Sequence, residues 1–254
     1  MRPSQEVPVN PGSHKCPVCG MAVRIIRRAD GKADYYEPLE QHEVSNKLEP
    51  VDEITSNKLK LLREGKKTVA FVGMALTSCS LAPYDDENVE IWGVNEQHAY
   101  EWMKRWDRWF QMHIRPYYTR TFDVPGVKEH YPWLCEEHGK PIYMLNVDEE
   151  IPDSVEYPLA RMNKRFFSKI RRGDEKVKYY TSTMPYMMAL ALDEGFERIE
   201  IYGMEMAGPD EYVAQRPCGE FWLGMAAGMG VEIYLPPDNQ LIKGYLYGYK
   251  GQGY

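Results

Sequence analysis

From Lys66 onward, short apolar runs alternate with segments of helical periodicity, and this alternation limits the fold more than any other feature of the sequence. The apolar runs predict strands at 68–73, 89–94, 109–113, 141–145, 178–180, 198–203 and 231–235. Helical spacing recurs between them at 95–106, 182–195 and 219–230. Continuously apolar strands that are separated by helices are typical of a parallel sheet covered by helices on both faces.

The length of 254 residues suits one large domain with a small appendage. We assign residues 1–46 to an N-terminal tail and knuckle, and 47–65 to a linker helix that Gly65 closes. The main α/β domain then covers 66–240, and a Gly/Tyr-rich tail covers 241–254.

Charge and composition exclude several classes of protein. A net charge of -7 argues against direct nucleic-acid binding, because such binding neutralises phosphates with many Lys and Arg side chains. The five scattered cysteines are typical of a reduced intracellular protein. No stretch reaches the roughly 18 apolar residues of a membrane span. We therefore expect a soluble cytoplasmic protein without a membrane partner.

The N-terminal segment contains half of a zinc-binding motif. Cys16 and Cys19 have metal-ligand spacing, and His14 and His42 are the nearest side chains that could complete a tetrahedral site. A second C-x-x-C is missing from the sequence. A structural zinc in a zinc-ribbon-like appendage and a metal-free ribbon both remain open.

In a doubly wound sheet, ligands bind outside the carboxyl ends of the strands. The turn GMALTS follows the first strand of the main domain. Gly73 permits a tight turn, and Thr77 and Ser78 place hydroxyls beside amides that could bind phosphate. An ordinary strand-to-helix turn with Ser/Thr capping fits these residues equally well.

Asn95 and His113 follow the next two strands. Asn95 could contact a sugar or a base edge, or it could cap the next helix. His113 is a candidate general acid or base, since imidazole titrates near neutrality, although a buried structural histidine is the alternative. Trp102, Trp106 and Trp109 have helical spacing, and we assign them to the core rather than to a stacking site.

Hydroxyl side chains are concentrated at the start of the helical segment 182–195. Thr181, Ser182 and Thr183, together with the free amides of the first helical turn, predict an anion site for a phosphate or carboxylate. Pro185 fits the first turn, where its missing N–H costs nothing.

Polar side chains also follow the strand predicted at 198–203. Glu205 lies just beyond that strand, and Tyr212, Arg216 and Glu220 come later in a polar segment. Arg216 could bind a phosphate in a bidentate manner, and Glu205 or Glu220 could accept a proton or hold a metal. A surface loop with an Arg–Glu pair is the alternative.

The succession VGMALTS, IWGVN, WFQMH and YYTSTMPYMMALALDEGFERIEIYGMEM resembles a group of Rossmann-like transferases. The group includes archaeal 6-hydroxymethylpterin pyrophosphokinase-like proteins and bacterial sialyltransferases. The segment from IEIYGMEM to PPDNQL is also similar to uncharacterised bacteriophage proteins, which would place the protein in a host cytoplasm. The resemblance covers 66–240 and implies a Rossmann-like, doubly wound and mostly parallel sheet.

The resemblance further implies a nucleotide-linked substrate. Gly73 and Ser78 would approach phosphate, and Asn95 would meet the nucleotide or the donor sugar. An anionic group would bind Ser182 and Thr183. Glu205 stands where the family has an acidic residue, more commonly Asp. The sequence Met-Ala-Leu at 74–76 also departs from the Gly/Pro turn of the family.

Our leading hypothesis is a nucleotide-dependent transferase, with glycosyl transfer slightly favoured. His113 or Glu205 would deprotonate the acceptor, and Arg216 would stabilise the leaving phosphate. The first alternative is an ATP-dependent pyrophosphokinase whose Mg²⁺ Glu205 helps to hold. The others are a nucleotide-sequestering protein without turnover, and an assembly protein with a vestigial crevice. A homo-oligomer is compatible with each.

Overall fold

The computed structural model describes residues 23–26, 35–38, 53–121, 126–208, 211–237 and 239–242. The strands are β1 (Val23–Ile26), β2 (Tyr35–Pro38), β3 (Thr68–Val72), β4 (Val89–Val94), β5 (Arg108–Gln111), β6 (Ile142–Met144), β7 (Ser154–Glu156), β8 (Arg171–Arg172), β9 (Glu175–Lys176), β10 (Arg198–Tyr202) and β11 (Glu232–Tyr234). The helices are α1 (Glu53–Arg63), α2 (Arg115–Tyr118), α3 (Val127–Leu134), α4 (Leu159–Phe167), α5 (Thr183–Asp193) and α6 (Arg216–Gly228).

Seven of these strands form a central parallel sheet in the order β11-β10-β3-β4-β5-β6-β7. The chain begins in the middle at β3, runs outward to β7, and returns to the opposite side of β3 with β10 and β11. The predicted doubly wound parallel sheet is therefore confirmed. The strand order reverses between β3 and β10, which is where such sheets bind ligands.

Both faces of the sheet are covered, as the apolar runs predict. On β3, Val69 and Phe71 belong to a core that includes buried residues of α4, α5 and α6. Ala70 and Val72 belong to a second core on the opposite face, together with Cys79 of a short 3-10 turn. All five residues of β3 are buried, which explains why its sequence is apolar at every position after Thr68.

Two local predictions are wrong. The segment 95–106 forms only a 3-10 turn, Asn95–Ala99, because the Gln97 side chain bonds the Val94 amide and the Val72 carbonyl. Segment 178–180 is not a strand, since the Tyr179 carbonyl accepts from the Trp222 indole of α6 instead of a neighbouring strand. Trp102 and Trp109 are nevertheless buried, as predicted.

Six elements were not predicted from sequence: α2, α3, α4, the edge strand β7, and the two short strands β8 and β9. The residues of β7 are at least partly exposed, so they lack a continuous apolar run. Helix α4 buries only Met162 and Phe167, and charged side chains dominate its remaining surface. Helix α4 is nevertheless strongly amphipathic, so its helical period was available in the sequence.

The C-terminal part of the predicted linker helix packs against the main domain. Helix α1 covers Glu53–Arg63, and Gly65 follows with a left-handed φ of 71°. Leu59 and Arg63 are buried, and Arg63 bonds Glu200 of β10 at 2.7 Å and 2.9 Å. Within the described ranges, no helix is long and apolar enough to cross a membrane.

Candidate functional site

A crevice of about 350 Å³ lies at the carboxyl ends of β3, β4 and β10, beside the start of α5. This is the point at which the strand order reverses. Seven residues that were selected from sequence line it together: Gly73, Asn95, His113, Thr181, Ser182, Thr183 and Glu205. These residues come from five separate stretches of the chain. The fold therefore brings together side chains that the sequence analysis selected separately, segment by segment.

Two glycines form the floor where β3 and β10 end. A Cβ atom on Gly73 would lie 2.2 Å from the Gly203 carbonyl oxygen, and a Cβ on Gly203 would lie 2.7 Å from the Gly73 carbonyl oxygen. The Gly73 amide bonds the Tyr202 carbonyl at 2.7 Å, and the Ala75 amide bonds the Gly203 carbonyl at 2.9 Å. Close backbone approach, which only glycine permits, therefore joins the two strand ends.

Asn95 is held in an unusual conformation directly after β4. Its φ of 52° lies in the left-handed region, which asparagine tolerates better than most residues do. Its carbonyl accepts a hydrogen bond from the Trp109 indole at 3.1 Å. Its side-chain Oδ1 is buried and has no hydrogen-bond partner among the described residues. Strain and an unsatisfied oxygen at one residue are typical of a functional position.

Gln97 supports this wall, and the sequence did not single it out. Its side chain is fully buried, accepts from the Val94 amide at 3.0 Å and donates to the Val72 carbonyl at 2.7 Å. It therefore joins the carboxyl ends of β3 and β4. Only its position two residues beyond Asn95 could have indicated this role from the sequence, because its partner in β3 lies 25 residues away.

The N-terminus of α5 forms another part of the crevice wall. Ser182 is the N-cap residue, but its side chain makes no capping hydrogen bond. Its Oγ is buried and has no partner among the described residues. The first amides of a helix have no intrahelical acceptor and carry the positive end of the helix dipole. This end of the crevice is therefore suited to an anionic group.

The carboxylate of Glu205 already accepts hydrogen bonds from other parts of the protein. Glu205 is 5% exposed, and its carboxylate accepts from Thr77 Oγ1 at 2.8 Å, Asn239 Nδ2 at 3.3 Å and the Gln240 amide at 2.5 Å. The carboxylate thus connects the turn after β3 to the segment 239–242. Thr77 does not line the crevice itself, but its hydroxyl holds the carboxylate of Glu205, which does.

These contacts do not fit a magnesium site built by the protein. Both Glu205 oxygens accept hydrogen bonds from protein donors. A second carboxylate is missing from the described residues that line the crevice. Mg²⁺ is usually held by one or two carboxylates together with substrate phosphates. The magnesium-dependent alternative stays a prediction with little support from this donor set.

Ser78 is placed differently from its predicted role at the phosphate. It is 2% exposed, and its Oγ accepts from the Gly203 amide at 2.8 Å. It is not among the described residues that line the crevice. Its hydroxyl connects the turn after β3 to the end of β10.

His113 lies two residues after β5 and remains accessible to solvent. Its ring stacks on Tyr117 with centroids 5.9 Å apart. Partial desolvation lowers the pKa of His113 below its ordinary value of 6.5; Glu96 opposes this shift and Arg120 adds to it. The imidazole is therefore neutral at pH 7 and able to accept a proton.

Arg216 and Glu220 lie outside the crevice. Both line a separate, mostly apolar cavity of about 600 Å³ along α6 and β11. Arg216 Nε donates to Glu220 Oε1 at 3.0 Å, so the predicted Arg–Glu pair forms, but it lies on α6 with Arg216 buried and not in a surface loop. Tyr212 lies in the turn Glu211–Gln215, and its side chain is not described. Among the described residues that line the crevice, none carries a positive charge.

The predicted zinc ligands His14, Cys16, Cys19 and His42 lie outside the described residues. Elsewhere, in the parts of the chain that the structure describes, no group of three or more His, Cys, Asp or Glu side chains could hold a metal ion. The zinc ribbon stays a prediction.

No family model matches the sequence, and no curated protein matches it. Among solved structures, the chain is similar to the sialyltransferase CstII from Campylobacter jejuni in complex with a substrate analogue, cytidine-5'-monophosphate, with 16% identity, a TM-score of 0.42, and coverage of 69% of this chain and 82% of that chain. CstII in complex with CMP-3FNeuAc is 14% identical, with a TM-score of 0.42 and coverage of 69% of this chain and 83% of that chain. CST-II in complex with a trisaccharide acceptor and CMP is 14% identical, with a TM-score of 0.41 and coverage of 74% of this chain and 93% of that chain.

Proposed function

We propose that the crevice binds a nucleotide-linked sugar and that the protein is a glycosyltransferase. One observation carries this proposal. Asn95 and Ser182 both line a crevice at the reversal of strand order, and each keeps a buried side-chain oxygen without a partner among the described residues. Buried polar atoms are almost always hydrogen-bonded, so two exceptions in one crevice favour a ligand that supplies the missing partners: a donor for Asn95 Oδ1 and an acceptor for the Ser182 hydroxyl.

The walls suggest how such a ligand lies. The start of α5 favours the phosphate, because its free amides point at the bound group and its dipole favours negative charge. Asn95, which also lines the crevice, can bond the base or sugar through its amide. Since no described lining residue is cationic, backbone amides would carry the phosphate interaction, in place of the predicted Arg216.

In the proposed reaction, a hydroxyl oxygen of the acceptor attacks the anomeric carbon of the donor sugar. The bond between that carbon and the phosphate oxygen breaks, and the nucleotide leaves with both bonding electrons. His113 accepts the proton from the attacking hydroxyl, for which its lowered pKa keeps it neutral. Glu205 is a weaker candidate for the base, because Thr77 and the 239–242 segment already occupy its oxygens.

The first test is ligand-induced thermal stabilisation with CMP-, UDP- and GDP-linked sugars and with ATP, followed by chromatography of the nucleotide products. We expect one nucleotide sugar to raise the melting temperature and to release its nucleotide faster when acceptor is present. Stabilisation by ATP alone, with AMP as the product, would instead favour the pyrophosphokinase alternative. Absence of stabilisation by every nucleotide would refute the proposal.

A binding protein without turnover is the second candidate. Two observations favour it: the missing cation at the phosphate end of the described crevice, and the engagement of Glu205 by structural hydrogen bonds. An enzyme and a sequestering protein share the same thermal stabilisation, but only the enzyme consumes the ligand. Recovery of an intact nucleotide sugar by mass spectrometry after prolonged incubation with acceptors would select the binding protein.

A further inference from the structure

A second cavity, of about 510 Å³, lies beside the crevice over the carboxyl ends of β5 and β6. His113 lines both cavities, so its imidazole stands at the boundary between them. A group bound in the second cavity can therefore reach the same imidazole as a ligand in the crevice. The second cavity falls within the range of volumes that small-molecule sites occupy.

The charges of the described residues that line the second cavity are negative in sum. Three of these residues are carboxylates, Asp148, Glu149 and Glu150, against one cation, Arg115. Arg115 is already paired, because it donates to Asp148 at 2.6 Å and to Glu150 at 2.8 Å. Tyr118 also donates to Asp148, at 2.7 Å. An anionic ligand would meet repulsion here without a free cation to offset it.

The remaining surface of the cavity combines apolar patches with hydrogen-bonding groups. Ile114 is 59% exposed and Val147 is 56% exposed, and both belong to the cavity wall. Asn146 and Glu149 are exposed beside them, and they offer acceptors and donors for hydroxyl groups. An apolar patch next to hydrogen-bonding side chains matches a sugar ring, which has C–H faces and a hydroxyl rim.

We propose that this second cavity is the acceptor subsite, and that it takes an uncharged, hydroxyl-bearing acceptor such as a neutral saccharide. The inference rests on the proposed function, since it assigns the acceptor for the donor in the crevice. It adds a chemical class: the paired state of Arg115 and the surplus of carboxylates select against uronic acids, sialylated sugars and phosphorylated acceptors.

Saturation-transfer NMR on the full chain tests the inference. The probes are methyl glycosides of glucose, galactose, mannose and N-acetylglucosamine, compared with glucuronic and galacturonic acids. We expect at least one neutral glycoside to bind and both acids to bind about tenfold more weakly, the factor expected for a like charge near a protein surface. Val147→Trp should fill the cavity and abolish binding, whereas Val155→Trp, on the edge strand β7, should leave it unchanged.

A charge reversal gives a second readout. Glu149 is exposed, so Glu149→Lys should fold normally and shift the preference toward the acids by about tenfold. Three results would overturn the inference: neutral glycosides that do not bind, binding that survives Val147→Trp, or acids that bind at least as well as neutral probes. Nucleotide stabilisation, measured on the same variants, separates this failure from failure of the proposed function, because it reports on the crevice alone.

Discussion

At the scale of single residues, two serines that look alike in the sequence have opposite environments. Ser182 Oγ is buried without a described partner, whereas Ser78 Oγ accepts from the Gly203 amide at 2.8 Å. Ser182→Ala should therefore leave the melting temperature of the free protein unchanged or raised, because it removes an unsatisfied buried group. It should also weaken nucleotide binding about fivefold, which is the scale of one net hydrogen bond.

Ser78→Ala is the matched control for this prediction. It leaves the Gly203 amide buried without its partner, and should cost about 1–3 kcal/mol of unfolding free energy. Differential scanning calorimetry and nucleotide titration of both variants give the comparison. If Ser182→Ala destabilised the free protein as much as Ser78→Ala, the Ser182 hydroxyl would have a structural partner. Asn95 Oδ1 would then be the one remaining unpaired atom that supports a ligand among the described lining residues.

His113 gives a prediction for the pH dependence of turnover. Its pKa lies below 6.5, so the neutral base persists as pH falls past that value, and kcat/KM should decline only at lower pH. His113→Gln should lower the rate by about 100-fold or more and remove this ionisation from the pH profile. His138→Gln is the control, since His138 bonds the Trp133 carbonyl at 2.8 Å and does not line the crevice.

At the scale of secondary-structure elements, the contact between β3 and β10 depends on glycine. Gly73→Ala would push a Cβ into the Gly203 carbonyl, and we expect a loss of about 2 kcal/mol from overpacking. Gly224→Ala in α6 meets nothing within 4 Å and should instead stabilise by about 0.5–1 kcal/mol, since glycine weakens a helix interior. Urea unfolding measures both. Equal effects in the two variants would contradict the close approach of the strand ends.

Helix α3 packs on the turn after β4 through a histidine pair. His98 and His130 approach to 3.1 Å, and His98 stacks on Trp133 with ring centroids 4.3 Å apart. Burial lowers the pKa of His98 to about 4, with His138 adding to the shift and Glu129 opposing it. Burial, followed by the charges of His98, His113 and Arg120, lowers the pKa of His130 to about 3.

This pair should make the protein sensitive to mild acid. Because the folded-state pKa values lie below the unfolded value of 6.5, the unfolded chain binds more protons as pH falls through 6.5, and the unfolding free energy should drop. Carboxylates with lowered pKa values, such as Glu150, begin to contribute about one pH unit above their ordinary value of 4.5. Urea unfolding between about pH 7.5 and about pH 5.5 therefore isolates the histidines.

The double variant His98→Phe/His130→Leu should flatten most of that slope, leaving the smaller contribution of His113, whose pKa is also lowered. An unfolding free energy that stayed constant over this window in the unaltered protein would show that the pair titrates normally.

At the scale of the whole molecule, a buried ionic network attaches α1 to the sheet. Arg63 bonds Glu200 of β10, and Glu200 also accepts from Arg198 and Tyr202, both at 2.7 Å. Arg198 in turn pairs with Glu232 of β11. The network therefore spans the helix and two strands, and its carboxylate Glu200 is fully buried.

Arg63→Met should cost about 3 kcal/mol, because it removes one partner of a buried pair. Lys66→Met removes a pair with Glu232 in which both side chains are 37% exposed, and should cost less than about 1 kcal/mol. Chemical unfolding of the two variants tests the difference. A loss from Arg63→Met no larger than that from Lys66→Met would mean that α1 attaches to the domain mainly through apolar contacts such as Leu59.

The sequence predicted the parallel sheet and selected several of the residues that line the crevice, because both follow from local patterns. Buried strands such as β3 are continuously apolar, and the residues just beyond each strand end, including Asn95 and Ser182, lie where a doubly wound sheet places its ligands. The edge strand β7 escaped prediction because none of its three residues is fully buried, whereas the amphipathic α4 was predictable from its helical period. A cytoplasmic location, a phage origin and a homo-oligomer stay predictions.

What the sequence determined by itself is therefore which residues stand at the ends of the central strands, since periodicity reports burial over a few residues. Only the tertiary structure decided their partners. It paired Arg216 with Glu220 outside the crevice, bonded Ser78 to Gly203, and surrounded Glu205 with three donors. Except for Arg216 with Glu220, these contacts join residues more than 30 positions apart, and local spacing carries no information about such distances.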